Sequence, residues 1–157
     1  MNRHYSATIL IIMPRRSKSD ELLDFEIAFY EKLLAAYPDF ADVLIPLGEA
    51  YTRRGLHEKG LQVDLRLAQL RGNDPLTWYN LACSYALLRR IEEALDALHH
   101  AATLGYHDVS YLQKDPDLES IRHSPKYRAL LDTMAASAIR APSVSQRAPG
   151  QSGLPSA

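Results

Sequence analysis

Apolar side chains recur along the chain at helical intervals. Leu22, Phe25, Ile27, Phe29, Tyr30, Leu33, Leu34 and Tyr37 crowd one segment, and Pro38 stops it. Leu44, Leu47, Gly48 and Tyr51 are separated by three, one and three positions, a single stripe on a helix that Gly55 ends. A second helix follows from about His57 to Arg71, with Gly72-Asn73-Asp74 as its stop. Trp78, Leu81, Ala82 and Tyr85 then repeat the three-one-three stripe. Ile91 to Leu104 predicts the next helix, and Gly105 stands where a left-handed residue closes one. No stretch alternates polar and apolar residues long enough to make a strand, so the predicted fold class is all-α.

The ends follow a different pattern. Residues 1–20 read as a basic, flexible lead-in, most clearly the polar stretch 14–20, and 135–157 contain neither an acidic nor an aromatic residue. A tail so poor in apolar surface cannot offset its ordering entropy, so 135–157 is expected to be disordered and the folded domain to span 21–134. Ala7 to Met13 is the only sustained apolar run, and seven residues are too few to cross a bilayer, which takes about 20. It also lacks the small-residue cleavage site of a secretory signal. It reads as a short strand or packing arm, as a weak membrane-associating end, or as part of an upstream extension. The last is preferred: with Met13 as the natural start, residues 1–12 are not native, and N-terminal mass spectrometry of the native protein decides it.

Composition narrows the function. At 157 residues with 46% apolar and 24% charged side chains, the chain is a globular domain with room for a core. One cysteine excludes a disulfide framework and any multi-thiolate metal site. The formal net charge of −1 conceals a division. All 19 acidic residues lie between Asp20 and Asp132 beside 12 basic ones, a net −7, whereas the ends carry +6. An acidic body argues for a basic or apolar protein partner, the chain's own termini among the candidates, and against nucleic acid.

Setting Ala41–Asp74 over Pro75–Asp108 aligns two 34-residue units without a gap. Leu47/Leu81, Tyr51/Tyr85, Glu58/Glu92, Leu61/Leu95, Ala68/Ala102, Leu70/Leu104 and Asp74/Asp108 are identical. Small residues also coincide, Gly48 with Ala82 and Gly60 with Ala94, where two helices of a hairpin must approach closely. A 34-residue period with this large-small-aromatic order resembles the tetratricopeptide repeat. Trp78, Leu81, Ala82, Tyr85, Ala94 and Ala101 stand at its signature positions; in the first unit Leu44 replaces the tryptophan, Gly60 an alanine, and Asp64 fills a slot usually aromatic. Leu22–Tyr37 fits the second helix of a preceding unit. The resemblance implies a right-handed helical-hairpin solenoid of about seven helices, a cytoplasmic interaction scaffold.

Beyond Asp108, Asp115-Pro116 and Ser124-Pro125 are helix-start signals that predict short helices over about 116–122 and 125–134. Segment 109–134 resembles the capping segment behind bacterial tetratricopeptide arrays, which covers the last repeat's apolar face.

Catalytic signatures are missing: no phosphate loop, no dinucleotide fingerprint, no zinc-protease helix and no nucleophile elbow. Adjacent His99 and His100 diverge by about 100° on a helix and cannot share a metal with good geometry. No enzyme, cofactor or metal is expected. By the resemblance, the first helices of the units line a groove, and the candidate peptide-binding residues are Ile45, Glu49, Thr52, Arg53, Tyr79, Asn80, Cys83 and Leu87. The apolar Tyr79, Cys83 and Leu87 suggest either a peptide ligand or terminal helices folded back over them. A clamp for a terminal carboxylate is disfavoured, because Ile45, Pro46 and Glu49 stand where Lys or Asn is needed beside Asn80. Protein or peptide partners are expected, without nucleic acid or stable membrane insertion. The alternative function is a self-associating assembly module, a homo-oligomer formed through the first helix.

Overall fold

The computed structural model describes residues 17–140, and their side chains through residue 136. The readings made for Ala7–Met13 and for the tail beyond 140 lie outside the described residues. Seven α-helices follow one another: α1 (Lys18–Ala36), α2 (Ala41–Arg54), α3 (His57–Leu70), α4 (Pro75–Leu87), α5 (Ile91–Thr103), α6 (Val109–Leu112) and α7 (Pro125–Arg140). Among the described residues there is no strand, and the fold is a tetratricopeptide-type helical solenoid.

Local chemistry sets the helix limits. Ser17 and Asp20 form a reciprocal capping box at the start of α1. Asp74 accepts the Leu76 N–H at 3.0 Å and Pro75 opens α4. Gly55 closes α2 at φ 76°, and Arg89, one 34-residue period later, repeats that left-handed turn at φ 57°. Gly105 ends the α5 segment at φ 105°, as the sequence predicts. Pro46 sits inside α2, in its second turn, so the helix lacks one backbone hydrogen bond there.

Neighbouring helices pack in order, and two apolar clusters form. Leu23 and Ile27 of α1 meet Leu44, Leu47 and Tyr51 of α2 and Val63 and Leu67 of α3. Leu61 of α3 instead joins α4, α5 and the C-terminal segment, where Ala82, Ala94, Leu98, Leu112, Leu118 and Ile121 are fully enclosed. Helix α3 therefore belongs to both clusters. The small residues act as the alignment predicts at Ala82 and Ala94, which leave room for the facing helix.

The C-terminal segment departs from expectation in detail. The sequence pattern does not predict the short turn of α6, and the helix expected over 116–122 is one 3₁₀ turn, Pro116–Leu118, followed by further i→i+3 backbone bonds to Ser124. Leu118 and Ile121 are both fully buried, and in this tight coil their three-residue spacing brings them to the same side. Ser120 fastens the segment by donating to the Ala86 carbonyl at 2.6 Å, and Tyr127 by donating to the Leu112 carbonyl at 2.7 Å. Helix α7 continues to Arg140, past the boundary at 134.

Candidate functional site

Helices α2 and α4 lie side by side one period apart, and the same sides of the two line a cleft of about 310 Å³. From α2 come Ile45, Gly48, Glu49, Thr52 and Arg53; from α4 come Tyr79, Asn80, Cys83 and Ser84. Asp64 of α3 is at its floor, and Tyr111, Asp115 and Asp117 form a third wall. Seven of the eight residues selected from sequence are thus together. Leu87 is apart: it lines a separate depression with Arg89, Pro116 and Asp117, because the capping turn crosses the end of α4.

That turn accounts for the apolar stripe of the second unit. Tyr79 and Cys83 are 7% and 8% exposed. Tyr79 stacks on Tyr106 with ring centroids 4.7 Å apart, and its hydroxyl donates to Asp115. The Cys83 sulfur lies 3.7 Å from the same carboxylate. Burial pushes the Cys83 thiol well above its usual range, and the nearby Asp117 and Asp64 push it further, so it is packing rather than nucleophile. The part of the cleft at Tyr79 and Cys83 is therefore covered by the chain itself, while the part along α2 and at the half-buried Asn80 stays open.

The carboxylates divide into two kinds. Asp115 is satisfied: one oxygen accepts the Asp117 N–H at 2.9 Å as an N-cap, the other accepts Tyr79, and its carbonyl accepts from Arg122. Asp64 is not. Its side chain is buried, Oδ2 accepts from the Ser84 hydroxyl, and Oδ1 has no hydrogen-bond partner among the described residues. Burial pushes its pKa up to about 6, partly opposed by Ser84. Asp117 is raised by burial and by Asp115. A methyl group on Gly48 would come within 3.2 Å of Asp64 Oδ1, so the glycine makes room for the carboxylate. In the second unit the matching pair is Ala82 and Leu98, an ordinary apolar contact. Asp64 is absent from the groove selected by sequence; its signal there is a charged residue in a slot usually aromatic.

Glu49 is exposed and Arg53 reaches to Glu26 at 3.4 Å; with Asp64 at the floor and Asp115 and Asp117 in the third wall, the cleft as a whole has more acidic than basic groups. Among the described residues no group of three or more His, Cys, Asp or Glu is placed to hold a metal ion. No described helix is long and apolar enough to cross a membrane. A wider cleft of about 510 Å³ lies on the other side of α4, walled by Leu65, Trp78, Tyr85, Asp96 and His100. There Trp78 packs against His100 and donates to the Gly72 carbonyl at 2.7 Å.

No family model matches the chain. It is 32% identical over 90 residues to a chloroplastic protein of Arabidopsis thaliana, covering 54% of this chain and 26% of that protein. It is 31% identical over 75 residues to BBSome complex member BBS4 of Bos taurus, covering 48% of this chain and 14% of that one. The chain thus spans about a quarter or less of these relatives. The crystal structure of MamA superposes with a TM-score of 0.62 at 21% identity, over 78% of this chain and 70% of that one, which is a likeness of fold.

Proposed function

We propose, from the premise that the chain is a tetratricopeptide-repeat protein, that it is an interaction scaffold holding a segment of another protein along α2 and α4. The observation that carries this reading is the open half of the cleft: Ile45, Glu49, Thr52, Arg53 and Asn80 face one space that the chain's own cap leaves uncovered. Docking of a helix or an extended peptide there is recognition without covalent chemistry.

A pull-down compares wild type with Glu49→Arg/Asn80→Trp, which fills and recharges the cleft without touching the buried Tyr79. Loss of the same partners with unchanged helicity supports the groove, and an unchanged set of partners overturns it. Tyr79→Ala is unsuited to this purpose, since it would undo the Asp115 contact.

A second reading rests on α1. Leu22, Phe25 and Phe29 are 69%, 71% and 50% exposed, an apolar stripe along α1. Self-association would cover it, and sedimentation at several concentrations tests that directly.

A further inference from the structure

The floor of the open cleft holds a carboxylate with one oxygen bonded within the chain and the other turned to the cleft. Asp64 is buried, yet it lines the cleft, and only its Oδ2 is bonded. Oδ1 is not among the enclosed polar atoms that lack a partner, so it is reached from the cleft, and a group docked there meets it first. Gly48 keeps the space above Oδ1 clear. Glu49 and Asp117 add negative charge at the rim, and Ser84, Thr52 and Asn80 add neutral hydrogen-bonding groups.

We propose that this cleft is the seat for one cationic side chain, a lysine or arginine of the docked partner segment, with Asp64 Oδ1 as its hydrogen-bond acceptor. The inference rests on the groove reading above and specifies its partner. Three features favour this occupant. The cleft, at about 310 Å³, suits one side chain rather than a whole peptide, since ligand pockets begin near ~300 Å³. Its charge selects a cation, and the described residues offer no cluster that would make that cation a metal. Four donors or acceptors at differing depths suit an ammonium or guanidinium group, which carries several N–H donors. An apolar side chain would bury the Asp64 oxygen with nothing to bond it.

The test uses the full chain and fluorescein-labelled peptides Ala-Leu-Ala-X-Ala-Leu-Ala, with X lysine, arginine, norleucine or glutamate, followed by fluorescence anisotropy. The lysine or arginine peptide should bind at least tenfold more tightly than norleucine, and glutamate least. Asp64→Asn keeps the shape, can still accept from Ser84, and should erase the tenfold preference while leaving norleucine binding unchanged. Circular dichroism confirms that this variant folds. Equal binding of lysine and norleucine overturns the proposal, as does a preference that survives Asp64→Asn. Equal binding of lysine and norleucine, both abolished by Glu49→Arg/Asn80→Trp, would keep the groove and remove the cationic seat. Binding of none of the four also overturns the seat, and the pull-down then judges the groove separately. If the lysine peptide binds only after Arg15→Glu/Arg16→Glu, the chain's own N-terminal segment is the occupant and the partner claim falls.

Discussion

At the scale of single residues, Asp64 and Arg89 each stand in a place that most side chains would avoid. Burial lifts the Asp64 pKa to about 6 from an ordinary 3.8. The folded state then holds its proton more tightly than the unfolded chain between pH ~4 and ~6. The benefit from this group is full below that window and lost as pH rises through it. At neutral pH the ionised carboxylate costs up to about 3 kcal/mol. Asp64→Asn should therefore be more stable than wild type at pH 7 by as much as that, and the gap should close towards pH 4; urea unfolding at both pH values measures it. Arg89 takes the left-handed turn that Gly55 takes one period earlier. That conformation costs a side-chain-bearing residue about 1–2 kcal/mol, and the entropy lost by a glycine offsets part of the gain. Arg89→Gly should raise stability by about 0.5–1 kcal/mol, seen as a higher thermal midpoint.

Among the elements, α2 and the capping segment differ most from the others. Pro46 leaves a backbone carbonyl of α2 without its helical partner, and Pro46→Ala should restore the bond and stabilise by about 1–3 kcal/mol. The cap depends on Leu118 and Ile121, both fully buried. Ile121→Ala should cost about 2–5 kcal/mol in chemical denaturation and loosen the wall beside Tyr79. Helices α1 to α5 are legible in the chain because each has a stripe of apolar residues and most have a distinct stop, such as Pro38, Gly55 or Gly105. The cap is legible only in outline: Asp115-Pro116 marks a start, but the three-residue spacing of Leu118 and Ile121 suits an α-helix as well as the tight coil that follows, so periodicity does not separate the two. The candidate groove follows the same division. The stripe on α2 can be read from periodicity, whereas the cover over Tyr79 and Cys83 comes from a segment some 30 residues away. Leu87 falls within the sequence-selected groove because a helix stripe has no intrinsic end, and the crossing of the cap supplies one.

For the whole molecule, ion pairs join α1 and the segment after it to the first unit, Asp24 with Arg54, Glu26 with Arg53, Glu31 with Lys59 and Asp39 with Arg66, and Asp42 with Arg71 closes within that unit. Such exposed pairs orient more than they stabilise. The α1–α2 end also has the smaller apolar cluster, so hydrogen exchange should show its amides opening before those of α4 and α5. The bare stripe on α1 also bears on assembly. Every large exposed apolar residue among those described lies at or before Tyr111, and the described part of α7 presents none. Among the described residues α1 thus carries an exposed apolar stripe for which the described part of α7 has no counterpart. If two copies join through α1, a twofold axis pairs the stripe with itself, whereas head-to-tail growth would need a matching surface that the described part of α7 does not present. Any self-association through α1 should stop at two: light scattering across concentration should not exceed twice the chain mass, and Phe25→Ser/Phe29→Ser should return it to one. Self-association by this route would give a closed pair and not a fibre, with α1 as its self-complementary valence.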